Sequence, residues 1–289
     1  MERWEKLVSA YLNLDRRIIY LLVALAVLIP LIWPLNLPVK AREEVKAIFD
    51  TIEELPPGST ILIANDYDPS SEPELYPMTV ALLKHSFLKK HKVIIITLWL
   101  TGPGLVVKAL EQVKEELKPL GVEPKEGVDY AFLGFKPGGF AVILQMGGNI
   151  YGLETDYAGN RLEDLPIFEN VRSLRDIDYQ VVLAAGNTID TWIIYGSERY
   201  SYLIGGGVTG VIAPNIYPYY KARQLNGILG GLRGASEYER LLNAKYQVGV
   251  GRASKGMDAQ TMVHLLIVFG VILANLAFFV QRSIERGRD

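Results

Sequence analysis

The chain contains no cysteine in 289 residues and only three histidines. The first absence removes disulfides, thiolate metal ligands and a cysteine nucleophile. The second leaves His85, His91 and His264 as the whole supply of imidazole for acid–base or metal chemistry. A dominant sign of charge is missing too: 30 Lys and Arg stand against 32 Asp and Glu, for a formal net charge of −2. With no long basic run there is no electrostatic footprint for nucleic acid, which is not an expected partner. Apolar residues, by contrast, make up 49% of the chain, a high share for a wholly soluble protein.

Two uncharged stretches account for much of this. Residues 18–39 form a 22-residue run rich in Leu, Ile and Val, and residues 259–281 form a second of 23. At about 1.5 Å per residue each can cross a hydrocarbon core of roughly 30 Å, so both are predicted to be transmembrane helices in a cell membrane. Pro30, Pro34 and Pro38 remove backbone donors from the far half of the first, so its regular part is expected to end near Trp33, an interfacial aromatic. Pro34-Leu35-Asn36-Leu37-Pro38 is not a small-x-small cleavage site, which favours a retained anchor over a signal peptide. In the second run Asn275 needs a partner on another helix or a carbonyl of its own, while Gly270, Ala274 and Ala277 offer a small-residue face for helix pairing. That pairing would be with the first span or with a second copy of the chain. Two spans place both termini on one side. Arg16 and Arg17, abutting the first span, favour cytoplasmic termini and an extracytoplasmic centre. Residues 1–17, with Trp4, Leu7, Val8 and Tyr11 on one stripe, read as an interfacial amphipathic helix, and 282–289 as a basic tail.

The region 40–258 alternates apolar runs with amphipathic ones. A helix from about Ala41 to Leu55 ends at Pro56-Pro57-Gly58; strands follow at 60–64, 93–98, 130–133, 181–185 and within a glycine-interrupted stretch, 202–213. Helices are predicted at 73–90, 105–117, 165–174, 188–200 and 222–242, whereas 140–146 fits strand and helix equally. The first three strands start about 30 residues apart, which is βαβ spacing, so the fold class is α/β: a doubly wound, mostly parallel, Rossmann-like sheet flanked by the two spans.

In such sheets ligands sit beyond the carboxyl ends of the strands. The first of those loops, Asn65-Asp66-Tyr67-Asp68-Pro69-Ser70-Ser71-Glu72, carries Asp-x-Asp-x-Ser after a hydrophobic strand. This order resembles the first motif of the haloacid-dehalogenase-type phosphotransferases. The resemblance implies Asp66 as nucleophile, Asp68 as general acid and Mg²⁺ beside them. Apart from the resemblance, Asp66, Asp68, Glu72 and Glu74 are oxygen donors that could hold a hard cation such as Ca²⁺ or Mg²⁺. Asn65 intrudes before the nucleophile, and no lysine or downstream acidic pair completes the set. The alternative is a capping loop, in which short polar side chains start the next helix. Gly205-Gly206-Gly207-Val208-Thr209-Gly210 fits G-x-G-x-x-G, but Val211-Ile212-Ala213-Pro214 reads as a strand cut by proline, so a glycine-rich strand edge is expected in place of a nucleotide loop. Lys136, Asn187, Thr188 and Asp190, with Ser70, complete the crevice candidates. Each has a plain turn or cap reading beside the ligand one.

Tyr217, Tyr219 and Tyr220 precede a segment in which Gly227 and Gly231, and Gly230 and Gly234, are spaced four apart. On a helix these would make a glycine face for close packing, inside the domain or against another protein. The plan of span, α/β domain and span is similar to auxiliary subunits of gliding-type ABC transporters. The expected function is a non-catalytic binding or accessory component of a membrane assembly, with the lipid bilayer, self-association or other membrane subunits as partners and no cofactor. The alternatives are a membrane-tethered Mg²⁺-dependent phosphohydrolase using Asp66 and Asp68, and a membrane-anchored small-molecule sensor.

Overall fold

The computed structural model describes residues 15–35, 37 and 40–286. Trp4, Leu7, Val8 and Tyr11 of the expected interfacial helix lie outside the described residues. The chain divides into two compact units, one of Val39–Ser254 and one of the two chain ends.

In the unit of chain ends, helix α1 (Arg16–Ile32) is capped by the Asp15 side chain, which accepts from the Arg17 N–H at 2.9 Å. It runs through Pro30 and ends with Trp33 as its C-cap, near where the sequence placed the end. At 17 residues it rises about 25 Å, short of a full hydrocarbon crossing. The final helix of the chain, Arg252–Arg286, is one 35-residue rod. Among the described residues its Arg252–Ser283 stretch is the one helix long and apolar enough to cross a membrane. Within that rod the Asn275 amide donates to Val271 O at 2.9 Å, the own-helix solution to a polar group at apolar depth. Ala277 is buried, Ala274 is exposed, and a Cβ added at Gly270 would meet no atom within 4 Å.

The Val39–Ser254 unit is built on a six-stranded, all-parallel sheet ordered β3-β2-β1-β4-β5-β6. Helix α2 (Glu43–Glu54) buries Val45, Ile48, Phe49 and Ile52 at helical spacing and is followed by β1 (Thr60–Asp66). Then come α3 (Glu72–Leu88), β2 (Lys92–Thr97), α4 (Pro103–Leu117), β3 (Tyr130–Phe135), α5 (Phe140–Gly148) and β4 (Tyr179–Ala184). Helix α6 opens as α-helix over Thr188–Trp192, widens to π-helix over Ile193–Ser197 and closes at Glu198–Tyr200. The remaining elements are β5 (Leu203–Val208), α7 (Ala213–Lys221), β6 (Ile228–Gly230), α8 (Gly231–Tyr246) and α9, the long rod. Strands β1, β2 and β4 are buried on both faces, which is why they read as unbroken apolar runs. Side chains of α2, α3, α4 and α8 form one core layer; those of α5, α6, α7 and the turns before β4 form the other. The outer edge of β3 is covered where Tyr157 N–H donates to Phe132 O at 2.7 Å, and β6 is three residues long, so neither edge offers a long template for pairing.

Three expectations fail. The helix at 165–174 is instead a pair of tight turns, Pro166–Phe168 and Leu174–Asp176, with Leu165 before Pro166 in extended backbone (φ −89°, ψ 124°). Val211–Pro214 is not a strand: it leads into α7, whose first turn tolerates Pro214 because no donor is needed there. Only residues from 231 onward of the helix expected at 222–242 are helical, since β5 presents an open ladder that Asn226 and Gly227 join, through Asn226 N–H to Ile204 O at 2.9 Å and Gly206 N–H to Gly227 O at 3.1 Å. The supposed glycine face is therefore four separate packing positions. A Cβ on Gly227 would lie 2.5 Å from Glu44 O, one on Gly230 3.3 Å from Ala213, and one on Gly234 2.8 Å from the Leu229 carbonyl carbon, while Gly231 holds φ +61° at the start of α8. Gly227→Ala is expected to destabilise the domain by about 2 kcal/mol, because the backbone of α2 must move. Chemical denaturation in detergent checks it, and an unchanged midpoint would contradict the close approach.

Candidate functional site

The strand order reverses between β1 and β4, and the two βα loops that leave these strands flank the topological switch point. Asp66 ends β1 there, fully enclosed. Its Oδ1 accepts the Leu98 N–H at 2.7 Å from the loop after β2, and its Oδ2 accepts the Trp192 Nε1–H at 2.9 Å from α6. Burial pushes this carboxyl up to about 6, against the lowering effect of both donors and of the Thr188 hydroxyl nearby. Thr188 Oγ1 itself is buried without a hydrogen bond of proper geometry. On the other face of β1, Asn65 is buried, with its amide nitrogen 3.3 Å from Thr79 Oγ1 and its Oδ1 without a partner.

Trp192 is fully buried and fills the place beside Asp66 that an open crevice would leave to a ligand. Sequence reasoning missed it. It lies four residues after Thr188, hence on the same helix face, but only the adjacency of β1 and β4 brings that face to Asp66.

The other candidates are not gathered around Asp66. Asp68 caps a turn, its Oδ1 accepting Ser70 N–H at 2.8 Å and Ser70 Oγ–H at 2.6 Å, and these bonds hold its carboxyl below the usual range. Glu72 pairs with Lys108. Lys136 turns to the carbonyls of Leu153 and Thr155, at 3.3 and 2.9 Å. Asn187 is exposed, and Asp190 receives the Tyr219 hydroxyl, raising that phenol. Tyr217 donates to Glu44 at 2.6 Å, and all three tyrosines of α7 are half-buried against the second core layer. Glycines 205–207 lie inside β5, not in a loop. They make room for Tyr179, Ile189 and Leu183, so the G-x-G-x-x-G pattern serves strand packing. Among the described residues no group of three or more His, Asp or Glu side chains is placed to hold a metal ion.

A second polar cluster, also missed, lies where α2, α3 and α8 meet. His85 Nδ1 is 2.6 Å from Tyr238 Oη and its Nε2 is 2.8 Å from Glu53 Oε1, with the ring stacked on Phe49 at 4.5 Å. Burial lowers His85 to about 4, so the imidazole is neutral at pH 7. Burial raises Glu53, but bonds from Lys245, Tyr246 and His85 outweigh it and bring the carboxyl down to about 2. The cluster ties three helices together.

The carboxyl ends of the strands also carry apolar side chains in solvent. Leu100, after β2, is 74% exposed and Val211, after β5, is 86% exposed. Phe140 at the start of α5 and Tyr195 in the π-helical part of α6 stack with centroids 5.1 Å apart, both accessible. No protein-family model, curated protein or solved structure matches this chain.

Proposed function

We propose that the chain is a two-span membrane protein whose Rossmann-like domain is a non-catalytic binding or accessory component of a membrane assembly. The observation that carries this reading is the state of Asp66. The carboxylate placed where such folds do chemistry has both oxygens engaged by the protein's own N–H groups and is shut away from solvent by Trp192. A nucleophile needs an open approach, and a Mg²⁺ ligand needs further carboxylates facing it; the nearest candidate, Asp68, is turned to Ser70. The accessible Leu100, Val211, Phe140 and Tyr195 support a surface that meets another protein.

The length of α9 supports one span, and the exposed apolar side chains of α1 support a second that this 17-residue helix alone falls short of completing. Ile18, Leu21, Leu25, Leu28 and Ile32 of α1, and Leu265, Phe269, Ile272, Leu276 and Phe279 of α9, are exposed apolar side chains that lipid would cover. Arg16 and Arg17 at one end of α1 favour cytoplasmic termini and an extracytoplasmic domain.

Native mass spectrometry of the chain extracted in mild detergent tests the assembly. The expected particle holds more than one copy or co-extracted partner chains. A clean monomer, together with Mg²⁺-dependent hydrolysis of p-nitrophenyl phosphate that Asp66→Asn abolishes, would transfer the assignment to the phosphohydrolase.

A further inference from the structure

At the amino edge of the sheet, away from the switch point, two arginines converge on one aromatic ring. Arg175 precedes β4 and has its Cζ 5.5 Å from the centroid of the Tyr200 ring; Arg199, at the end of α6, has its Cζ 6.0 Å from the same centroid. Both are cation–π distances. The ring is fixed, since its hydroxyl reaches Leu144 O at 3.4 Å and its face lies where a side chain on Gly147 would stand.

The carboxylates that would ordinarily neutralise these arginines are engaged elsewhere. Asp176 Oδ2 accepts the N–H groups of Arg172 and Ser173, at 2.9 and 2.8 Å, and Glu198 Oε1 accepts from Gln224. Among the described residues neither guanidinium is paired with a carboxylate, and both side chains are exposed. The backbone around the ring is also unusual. The π-helical turn Ile193–Ser197 sets the rotation at which Arg199 and Tyr200 leave α6, and Ser201 follows with left-handed backbone at φ 62° and ψ 48°. Non-glycine left-handed residues and π-turns cost energy and gather at functional sites.

We propose that Arg175, Arg199 and Tyr200 form a binding site for a phosphoryl group. Two guanidiniums held by one ring match the double negative charge of a phosphate monoester and offer planar donor pairs to its oxygens. The group is carried by a free phosphorylated molecule or by a lipid headgroup. The site is independent of the accessory role and of Asp66.

The test is isothermal titration of the full chain in a non-ionic detergent with inorganic phosphate, and separately with dihexanoyl phosphatidic acid. One site per chain is expected. Arg175→Ala and Arg199→Ala should each weaken binding at least tenfold, the corresponding Lys variants should recover part of the loss, and Arg161→Ala, whose guanidinium is paired with Glu163, should leave it unchanged. Equal affinity for the two titrants means that the phosphoryl group alone is read; tighter arginine-dependent binding of the phosphatidic acid identifies a headgroup as the source. No binding of either titrant, or binding indifferent to both Arg→Ala variants, overturns the proposal.

Discussion

Trp192→Ala is expected to lower the unfolding free energy by about 5 kcal/mol, as the loss of a large core side chain is compounded by a buried carboxylate left without one donor. Trp192 is fully buried and its Nε1–H is 2.9 Å from Asp66 Oδ2. Trp192→Phe separates the two contributions. It keeps most of the volume and removes the donor, so its cost should be about 2 kcal/mol. Urea or thermal unfolding in detergent measures both; a Trp192→Phe variant as stable as the wild-type chain would show that the indole N–H contributes nothing to holding Asp66.

The second large effect is on pH dependence. Asp66 is raised from 3.8 to about 6 by burial, so the folded state binds its proton more tightly than the unfolded chain does. The stabilisation is fully present below the unfolded value, and it is lost as pH rises through the interval from 3.8 to about 6. At 1.36 kcal/mol per pH unit the difference amounts to about 3 kcal/mol. His85, lowered to about 4, and Glu53, lowered to about 2, act in the opposite sense, losing stability as pH falls. The comparison is therefore between the wild-type chain and Asp66→Asn. The variant costs stability at pH 4, because an amide cannot accept from both Leu98 and Trp192, but its deficit should shrink by up to about 3 kcal/mol on going to pH 7. Parallel stability curves from pH 4 to pH 7 would mean that Asp66 does not titrate in the folded protein over that range.

Both results would describe a Rossmann-like domain in which the usual ligand position is occupied from within. The proposed binding roles accordingly rest on surfaces elsewhere: the apolar strand-end loops for a protein partner and the arginine pair around Tyr200 for a phosphoryl group.

The sequence by itself determined the α/β alternation, the two apolar ends and the strands β1 to β4, because long unbroken apolar runs and βαβ spacing are local signals. It also placed Asp66 and Thr188, with Asp68, Ser70, Lys136, Asn187 and Asp190, as strand-end crevice candidates, though not how they are engaged. Only the tertiary structure decided the rest. Residues 228–230 became a strand because β5 offered hydrogen-bond partners that no local pattern reveals, and Ile167, Phe168, Val171 and Leu174 are buried from turns although their spacing is helical. The sealing of Asp66 by Trp192 spans 126 positions in the chain, and the meeting of Arg175 with Tyr200 depends on a π-turn. Contacts of this kind follow from strand order and helix rotation, which are set when the whole sheet closes and are not encoded in any one segment.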